Sequence, residues 1–208
     1  MAKLIMSEKE RYYRFSLNKK IKNIFIIFSL FLLITNTSHY TLKEKITENF
    51  SKIKTLSFDF KQKISEKEEI GKCFIKYPLL MRCNYDNLKK KILISNGKSV
   101  AIIKKKYKKI YYYPLKTTPL FIILDKQKLL NLMTNEKEIK INSDIIQFTF
   151  IDEKNNKLRI FFDKNSLDFK GWRTTDAYSN DVSFIIKNLK INQEINNNLF
   201  KIPREKDL

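Results

Sequence analysis

Two hydrophobic periods divide the chain. Over residues 41–56 apolar residues recur at helical spacing, at Leu42, Ile46, Phe50 and Ile53. Lys43, Glu44, Lys45 and Glu48 occupy the other face. This predicts one amphipathic packing helix. From Leu56 the period becomes two. Leu56, Phe58, Phe60, Gln62 and Ile64 alternate with Ser57, Asp59, Lys61, Lys63 and Ser65, the mark of a strand with one apolar and one wet face. Further strands are predicted over 71–77 and 81–86, around Pro78, and over 91–95, 99–104 and 108–113, with Asn96-Gly97 as a hairpin turn. The alternation breaks at Thr117-Thr118-Pro119, where Thr118 suits a helix cap and Pro119 a first helical position. Leu120-Phe121-Ile122-Ile123-Leu124 is then apolar on every side, and a helical turn follows over 126–132. Strands resume over 145–151, turn at Asn155-Asn156, and continue over 158–162, 171–175 and 182–186.

The predicted fold class is mainly β with an α lid: one long antiparallel sheet interrupted by a short, very apolar helix. A sheet of this length curls to enclose its apolar face. A helix apolar all round must be covered on several sides, and it is placed to plug the open mouth of the curled sheet.

Ahead of this pattern, residues 1–22 are polar and basic, ending in Asn18-Lys19-Lys20-Ile21-Lys22. Residues 24–34 are an uncharged apolar run, and Thr35, Asn36, Thr37 and Ser38 follow. That order describes a secretory signal peptide over residues 1–38, leaving a single domain over 39–208 in the periplasm. The run falls short of the roughly 20 residues a membrane span needs. An uncleaved inner-membrane anchor is the alternative reading.

Charge and chemistry narrow the function. The formal net charge is +20, but the lysines are spread along the chain. Their densest run, Lys104-Lys105-Lys106-Tyr107-Lys108-Lys109, falls at a predicted hairpin turn. No nucleic-acid partner is expected, and attraction to anionic lipid head groups fits the same charge. Three glycines exclude a Gly-rich phosphate loop. The only histidine, His39, lies at the expected cleavage junction, so no catalytic triad can be built inside the fold and the two cysteines cannot make a zinc site. No catalytic residue, metal or cofactor is expected, and the chain reads as a binding protein. Cys73 and Cys83 lie at equal distance either side of Pro78, so a hairpin centred there makes them face each other. They form either a disulfide, with Cα atoms about 4.4–6.8 Å apart, or a pair of small buried thiols.

Several motifs, in order, resemble the periplasmic outer-membrane lipoprotein carrier family, LolA, over residues 56–203. They begin with Phe58-x-Phe60-x-Gln62, Gly71-x-Cys73-x-Ile75-Lys76-Tyr77-Pro78 and Met81-Arg82-Cys83-Asn84-Tyr85-Asp86. Ser95-Asn96-Gly97-Lys98, Tyr113-Pro114-Leu115 and Thr118-Pro119-Leu120 follow, then Trp172-x-x-x-Asp176 and Phe200-x-Ile202-Pro203. The resemblance implies an incomplete antiparallel β-barrel, enclosing a hydrophobic cavity for lipoprotein acyl chains and covered by a short-helix lid. It implies a periplasmic chaperone that takes acylated lipoproteins from an inner-membrane ABC-type release complex to an outer-membrane lipoprotein acceptor. A monomer is expected. The alternative is a related open-barrel periplasmic protein that binds lipid or glycolipid, or senses it.

Within that frame, the inward residues Phe58, Phe60, Ile75, Met81, Tyr85, Phe148, Phe150 and Phe184 are expected to line the cavity. Pro119, Leu120, Phe121, Ile123 and Leu124 are expected to form the lid. One position departs from the family. An arginine usually precedes the proline of the second strand and helps latch the lid; here that latch position holds Tyr77. The lid is therefore expected to close by apolar packing of Leu120, Phe121 and Leu124, with Tyr77 beneath or beside it. Arg82, on the paired strand, is expected to point outward.

The export reading predicts a periplasmic form that begins near His39 or Tyr40. Its intact mass is the check, and a mass still containing residues 1–34 would refute cleavage.

Overall fold

The computed structural model describes residues 41–136, 139–151, 157–175 and 180–208. The expected export segment, the turn at Asn155-Asn156 and Asp176 lie outside the described residues. Eleven strands form: β1 Thr55–Ile64, β2 Lys67–Lys76, β3 Leu80–Tyr85, β4 Lys91–Asn96, β5 Ser99–Lys104, β6 Lys109–Pro114, β7 Lys140–Ile141, β8 Ile145–Ile151, β9 Lys157–Asp163, β10 Phe169–Thr175 and β11 Asp181–Ile191. The helices are α1 Leu42–Ser51, α2 Leu120–Leu124 and α3 Lys126–Asn135.

The strands form one sheet in the order β6-β5-β4-β3-β2-β1-β11-β10-β9-β8-β7, with the paired strands antiparallel. Two meanders, β1 to β6 and β7 to β11, are thus joined through the β1–β11 pair. The sheet is not closed. The chain leaves it at one edge, β6, and re-enters at the other, β7. Helices α2 and α3 are that connection, so the topology itself carries them across the open side.

Glycine permits the strands to crowd. At Gly71 a β-carbon would stand 2.1 Å from the Asn84 carbonyl oxygen and 2.9 Å from the Phe60 ring. At Gly171, with φ +134°, it would stand 2.0 Å from the Phe184 carbonyl oxygen, beside a register shift between Phe169 and Gly171. Such positions mark close backbone approach and bending of the sheet.

The concave face gathers the main core, which includes Phe58, Phe60, Ile75, Met81, Phe148, Phe162, Trp172 and Phe184. Helix α1 adds Ile46 and Phe50 and starts with a capping box of Thr41 and Glu44. Alternation to the opposite face places a second, smaller core there: Ile92, Ile94, Ala101, Ile103 and Ile110, covered by Ile202 and Leu208. The C-terminal segment straps this outer surface. Arg82 donates from Nη1 to the Leu199 carbonyl at 3.2 Å, and the Ile110 amide on edge strand β6 donates to Glu205 Oε1 at 3.0 Å. The expectation of one wet face throughout does not hold here. The unbroken apolar runs Ile92-Leu93-Ile94 and Val100-Ala101-Ile102-Ile103 are the sequence signal for burial on both sides.

Two local expectations are corrected, and one open pair is resolved. Thr118 does not cap α2: its hydroxyl donates to the Leu115 carbonyl at 2.8 Å, and Pro119, already in the helical region, occupies the cap position. Strand β11 runs to Ile191 rather than 186. A bulge opposite Ser57 and Asp59 and a left-handed Asn188, which donates to Asp59 Oδ2 at 2.7 Å, let the strand continue through polar sequence. Cys73 and Cys83 are in register across β2 and β3 and are bonded, with Cα atoms 4.1 Å apart. That is slightly closer than the range expected for bonded cysteines, and it is set by the direct opposition of the two residues.

The bond spans a sequence separation of 10. By the chain-entropy argument, replacing both cysteines with alanine should lower stability by about 2–3 kcal/mol. Urea denaturation measures it, and an unchanged midpoint would show that the bond adds nothing to the pairing of β2 with β3.

Candidate functional site

The concave face is organised by aromatic rings in an unbroken series of contacts. Tyr77 meets Phe50 edge-on at 5.8 Å, and Phe50 meets Phe169 at 5.9 Å. Phe169 stacks on Trp172 at 6.0 Å, and Trp172 on Phe184 at 4.1 Å. Phe184 stacks on Phe60 at 4.7 Å, and Phe60 meets Tyr85 at 4.9 Å. Phe162 and Phe148 branch from Phe50, with Phe150 beyond, and Phe58 leans on Phe184. Period-two strands with an aromatic at alternate positions produce this ribbon directly.

All eight residues expected to line a cavity, Phe58, Phe60, Ile75, Met81, Tyr85, Phe148, Phe150 and Phe184, are buried and belong to the one cluster. In this structure they are packed against one another and against the helices, so the face is a filled core rather than an open cavity. A cleft of about 210 Å³ lies beside the end of α1 and shares Phe50, Phe162 and Phe169 with the ribbon. It is smaller than pockets that bury a drug-sized ligand, so an acyl chain could enter the ribbon only if the helices moved.

The four apolar residues expected in the lid all bear on the main core, to different depths. Ile123 and Leu124 are fully buried, whereas Leu120 and Phe121 are half-buried and Pro119 is exposed. Phe121 packs against the core with part of its ring exposed, and Lys128 Nζ stands 5.2 Å from the ring centroid. The segment is also tied by the backbone. The Leu79 amide, just after Pro78, donates to the Leu124 carbonyl at 3.0 Å. Asp125 then caps α3, accepting from the Lys128 amide at 3.1 Å, and α3 buries Leu129 and Met133.

Helices α1 and α3 run antiparallel and exchange lysines. Lys43, near the start of α1, donates to the Thr134 and Glu136 carbonyls at the end of α3, at 2.9 and 3.0 Å. Lys126, at the start of α3, donates to the Ser51 carbonyl at the end of α1 and to the Ile53 carbonyl just beyond, the latter at 2.6 Å. Each helix ends in unpaired carbonyls and a negative dipole end, and each receives a cation from its neighbour. Burial, and then the nearby Lys54, holds the Lys126 ammonium below its ordinary range. The two helices are thus joined to each other by polar ties as well as by apolar packing. Sequence reasoning passes over Lys126, although a cation in a helix's first turn opposes that helix's own dipole and so suggests service to another element.

Tyr77 lies beside this junction, with Lys126 Nζ 6.0 Å from its ring centroid. Its hydroxyl is buried without a hydrogen-bond partner, and burial pushes the phenol up. Its ring extends the ribbon under α1. At the ribbon's other end the Tyr85 hydroxyl donates to Gln62 Oε1 at 2.9 Å, and Lys91 Nζ stands 3.7 Å from the Tyr85 ring centroid. Lys91 also pairs with Glu69. Burial works to raise the Glu69 carboxyl, but Lys91 and then Lys67 outweigh it and the net shift is downward.

A family model described as outer membrane lipoprotein carrier protein LolA matches residues 51–203, well over half of the chain. The chain belongs to the LolA family. The solved structures similar to it are distant in sequence. An uncharacterized conserved protein from Thermus thermophilus is 7% identical at a TM-score of 0.48, covering 78% of this chain and 93% of that one. A LolA superfamily protein from Nitrosomonas europaea is 6% identical at 0.41, covering 78% and 98%. An outer membrane lipoprotein-sorting protein domain from Vibrio parahaemolyticus is 8% identical at 0.43, covering 75% and 94%. No curated protein matches. Among the described residues of this LolA-family chain, no helix is long and apolar enough to cross a membrane.

The lysine exchange predicts that Lys126→Met speeds amide hydrogen exchange across both α1 and α3, by about five- to twentyfold, the equivalent of about 1–2 kcal/mol. Lys126→Arg should largely preserve protection. Tyr77→Phe should leave protection unchanged or raised, because it removes an unpartnered buried hydroxyl. If Tyr77→Phe loosens the helices as much as Lys126→Met, the latch lies at position 77 after all.

Proposed function

We propose that this protein is a periplasmic carrier of acylated lipoproteins, sheltering their acyl chains on the aromatic ribbon once the helices lift from it. The observation that carries the reading is a continuous apolar face covered by the crossover α2–α3 and by α1, rather than by a second sheet. Each methylene of a lipid anchor exposed to water costs about 0.8 kcal/mol, so unassisted transfer between membranes is very slow. A carrier must hide the chains and then yield them. An aromatic face offers area without directional bonds, and a helical cover held by a few hydrogen bonds can be displaced.

The proposed role needs no reaction centre. The ribbon's hydroxyls are those of Tyr77 and Tyr85, and burial pushes both up, so neither is poised as a base. We read the protein as a non-enzymatic chaperone. Its partners would be acylated lipoproteins, an inner-membrane ABC-type release complex and an outer-membrane acceptor. The basic, apolar and polar order of residues 1–38 supports export, and the bonded Cys73 and Cys83 fit an oxidising compartment.

An apolar fluorescent probe should bind and be displaced by a diacylated lipopeptide. Phe60→Asp and Phe150→Asp, provided each retains the parent's far-ultraviolet circular dichroism, should lose the probe, because each sets an unpaired charge in the apolar site. The decisive step is incubation with inner-membrane vesicles bearing lipoprotein, where a soluble complex of protein and lipoprotein is expected. Probe binding without lipoprotein uptake would leave a lipid-binding protein and remove the carrier role; unchanged binding in both aspartate variants would remove the site.

A further inference from the structure

Two hairpin tips at the end of the sheet away from α2 carry a surface that neither core uses. One is the β3–β4 connection, residues 86–90. The other is the β5–β6 connection, a 3-10 turn at Lys105–Tyr107 followed by Lys108 in the left-handed region. They are neighbours: the Lys106 amide donates to the Lys89 carbonyl at 3.5 Å. Leu88 is 93% exposed, the most exposed large apolar side chain among the described residues, and Tyr107 on the other tip is 51% exposed. Lys89, Lys90, Lys105, Lys106 and Lys108 surround them, all exposed, and no described acid pairs with any of the five. Asp86 is the only acid in the two connections.

The projection of Leu88 is held, not loose. Asn87 Nδ2 donates to Glu69 Oε1 at 3.0 Å, while Asn87 Oδ1 accepts from the Lys91 amide at 3.2 Å and its carbonyl accepts from the Lys90 amide at 2.9 Å. Lys90 takes a left-handed conformation to complete the turn. The fold thus fixes a leucine in water between cations.

We propose that these tips dock onto the surface of an anionic lipid bilayer. Leu88 and Tyr107 enter the interfacial layer, where tyrosine rings are favoured, and the five lysines meet the acidic head groups. Along the same edge Tyr111 is exposed with Lys104 Nζ 5.0 Å from its ring centroid, extending the cationic and aromatic pairing along β6. A nucleic acid would engage the lysines but has no use for a projecting leucine. Docking involves the tips alone and does not depend on what the concave face binds.

The test uses the full chain carrying Leu88→Trp, whose indole reports from the tip itself; the one native tryptophan, Trp172, is buried. Vesicles are phosphatidylcholine with and without about a quarter phosphatidylglycerol, with brominated acyl chains as quencher. The new indole should shift to shorter wavelength and be quenched only with the anionic vesicles, and less so as salt rises. Reversing Lys105, Lys106 and Lys108 to Glu in that background should lower partitioning more than tenfold. In the parent chain, Leu88→Ser should lower co-sedimentation severalfold at unchanged charge. The reporter's position shows whether the tip itself enters the bilayer, whatever else in the chain meets the vesicle. An unquenched indole, or equal quenching by neutral vesicles, overturns the proposal. So does co-sedimentation indifferent to Leu88→Ser, and so does preference of the tips for an oligonucleotide over the anionic vesicles. Should the triple reversal fail to fold, the salt series on Leu88→Trp decides in its place: quenching that salt does not weaken overturns the role of the lysines.

Discussion

A single β-sheet with a continuous aromatic face, and no second sheet to lie against, cannot remain as it is in water. Everything else in this structure answers that constraint. Eleven strands in one layer bring a run of aromatic rings to one side. Glycine at positions 71 and 171, where a β-carbon would strike a neighbouring strand's carbonyl, lets the layer bend around that side. The strand order does the remainder. Because the two meanders are joined at their inner strands β1 and β11, the link between their outer strands has to span the open side. A cover is therefore a consequence of connectivity, and the apolar sequence of α2 is what makes this crossover adhere.

The parts legible in the sequence were those governed by local periodicity. Alternation located most strands to within a few residues, and it assigned Phe58, Phe60, Phe148, Phe150 and Phe184 to one face. Asn96-Gly97 and the all-apolar 120–124 segment announced a turn and a buried helix. What escaped was set by distant partners. Nothing near Lys126 states that the end of α1 lies within reach of its ammonium, and nothing near Ile110 states that Glu205 will satisfy its amide. The inward alternation describes a cavity wall and a packed core equally well, and the helix side chains seated on it, among them Phe50, Ile123, Leu124, Leu129 and Met133, distinguish the two. The charge pattern hides a long-range feature in a similar way. Spread evenly along the chain, the lysines conceal that two connections separated in sequence by more than a dozen residues fold into one cationic tip.

The departure at position 77 and the lysine exchange belong together. Where the family usually places an arginine before the strand proline, this chain packs a half-buried tyrosine against Phe50, its buried hydroxyl without a partner among the described residues. An arginine there would set a cation on the sheet. Here the cations sit on the helices themselves, at Lys43 and Lys126, and each serves the opposite helix. The polar ties consequently bind α1 to α3 more than they bind either to the sheet. Toward the sheet, the helical cover relies on Ile46, Phe50, Leu129 and Met133, with the Leu79 amide on the Leu124 carbonyl as a backbone tie.

That division of labour has a mechanical consequence for a protein proposed to take up acyl chains. Apolar contact is non-directional, so a methylene chain arriving on the ribbon can replace helix side chains with little difference in the kind of interaction made. The directional bonds are different, since each one broken without a substitute leaves a buried donor or acceptor unpaired. With the lysine bonds placed between the helices, α1 and α3 can separate from the ribbon as a pair while those bonds persist. The tie across the gap is the Leu79 amide on the Leu124 carbonyl, close to the half-buried Tyr77 and at the end of the helix whose Ile123 and Leu124 fill the face. Position 77, carrying a tyrosine rather than a cation, continues the aromatic surface toward α1.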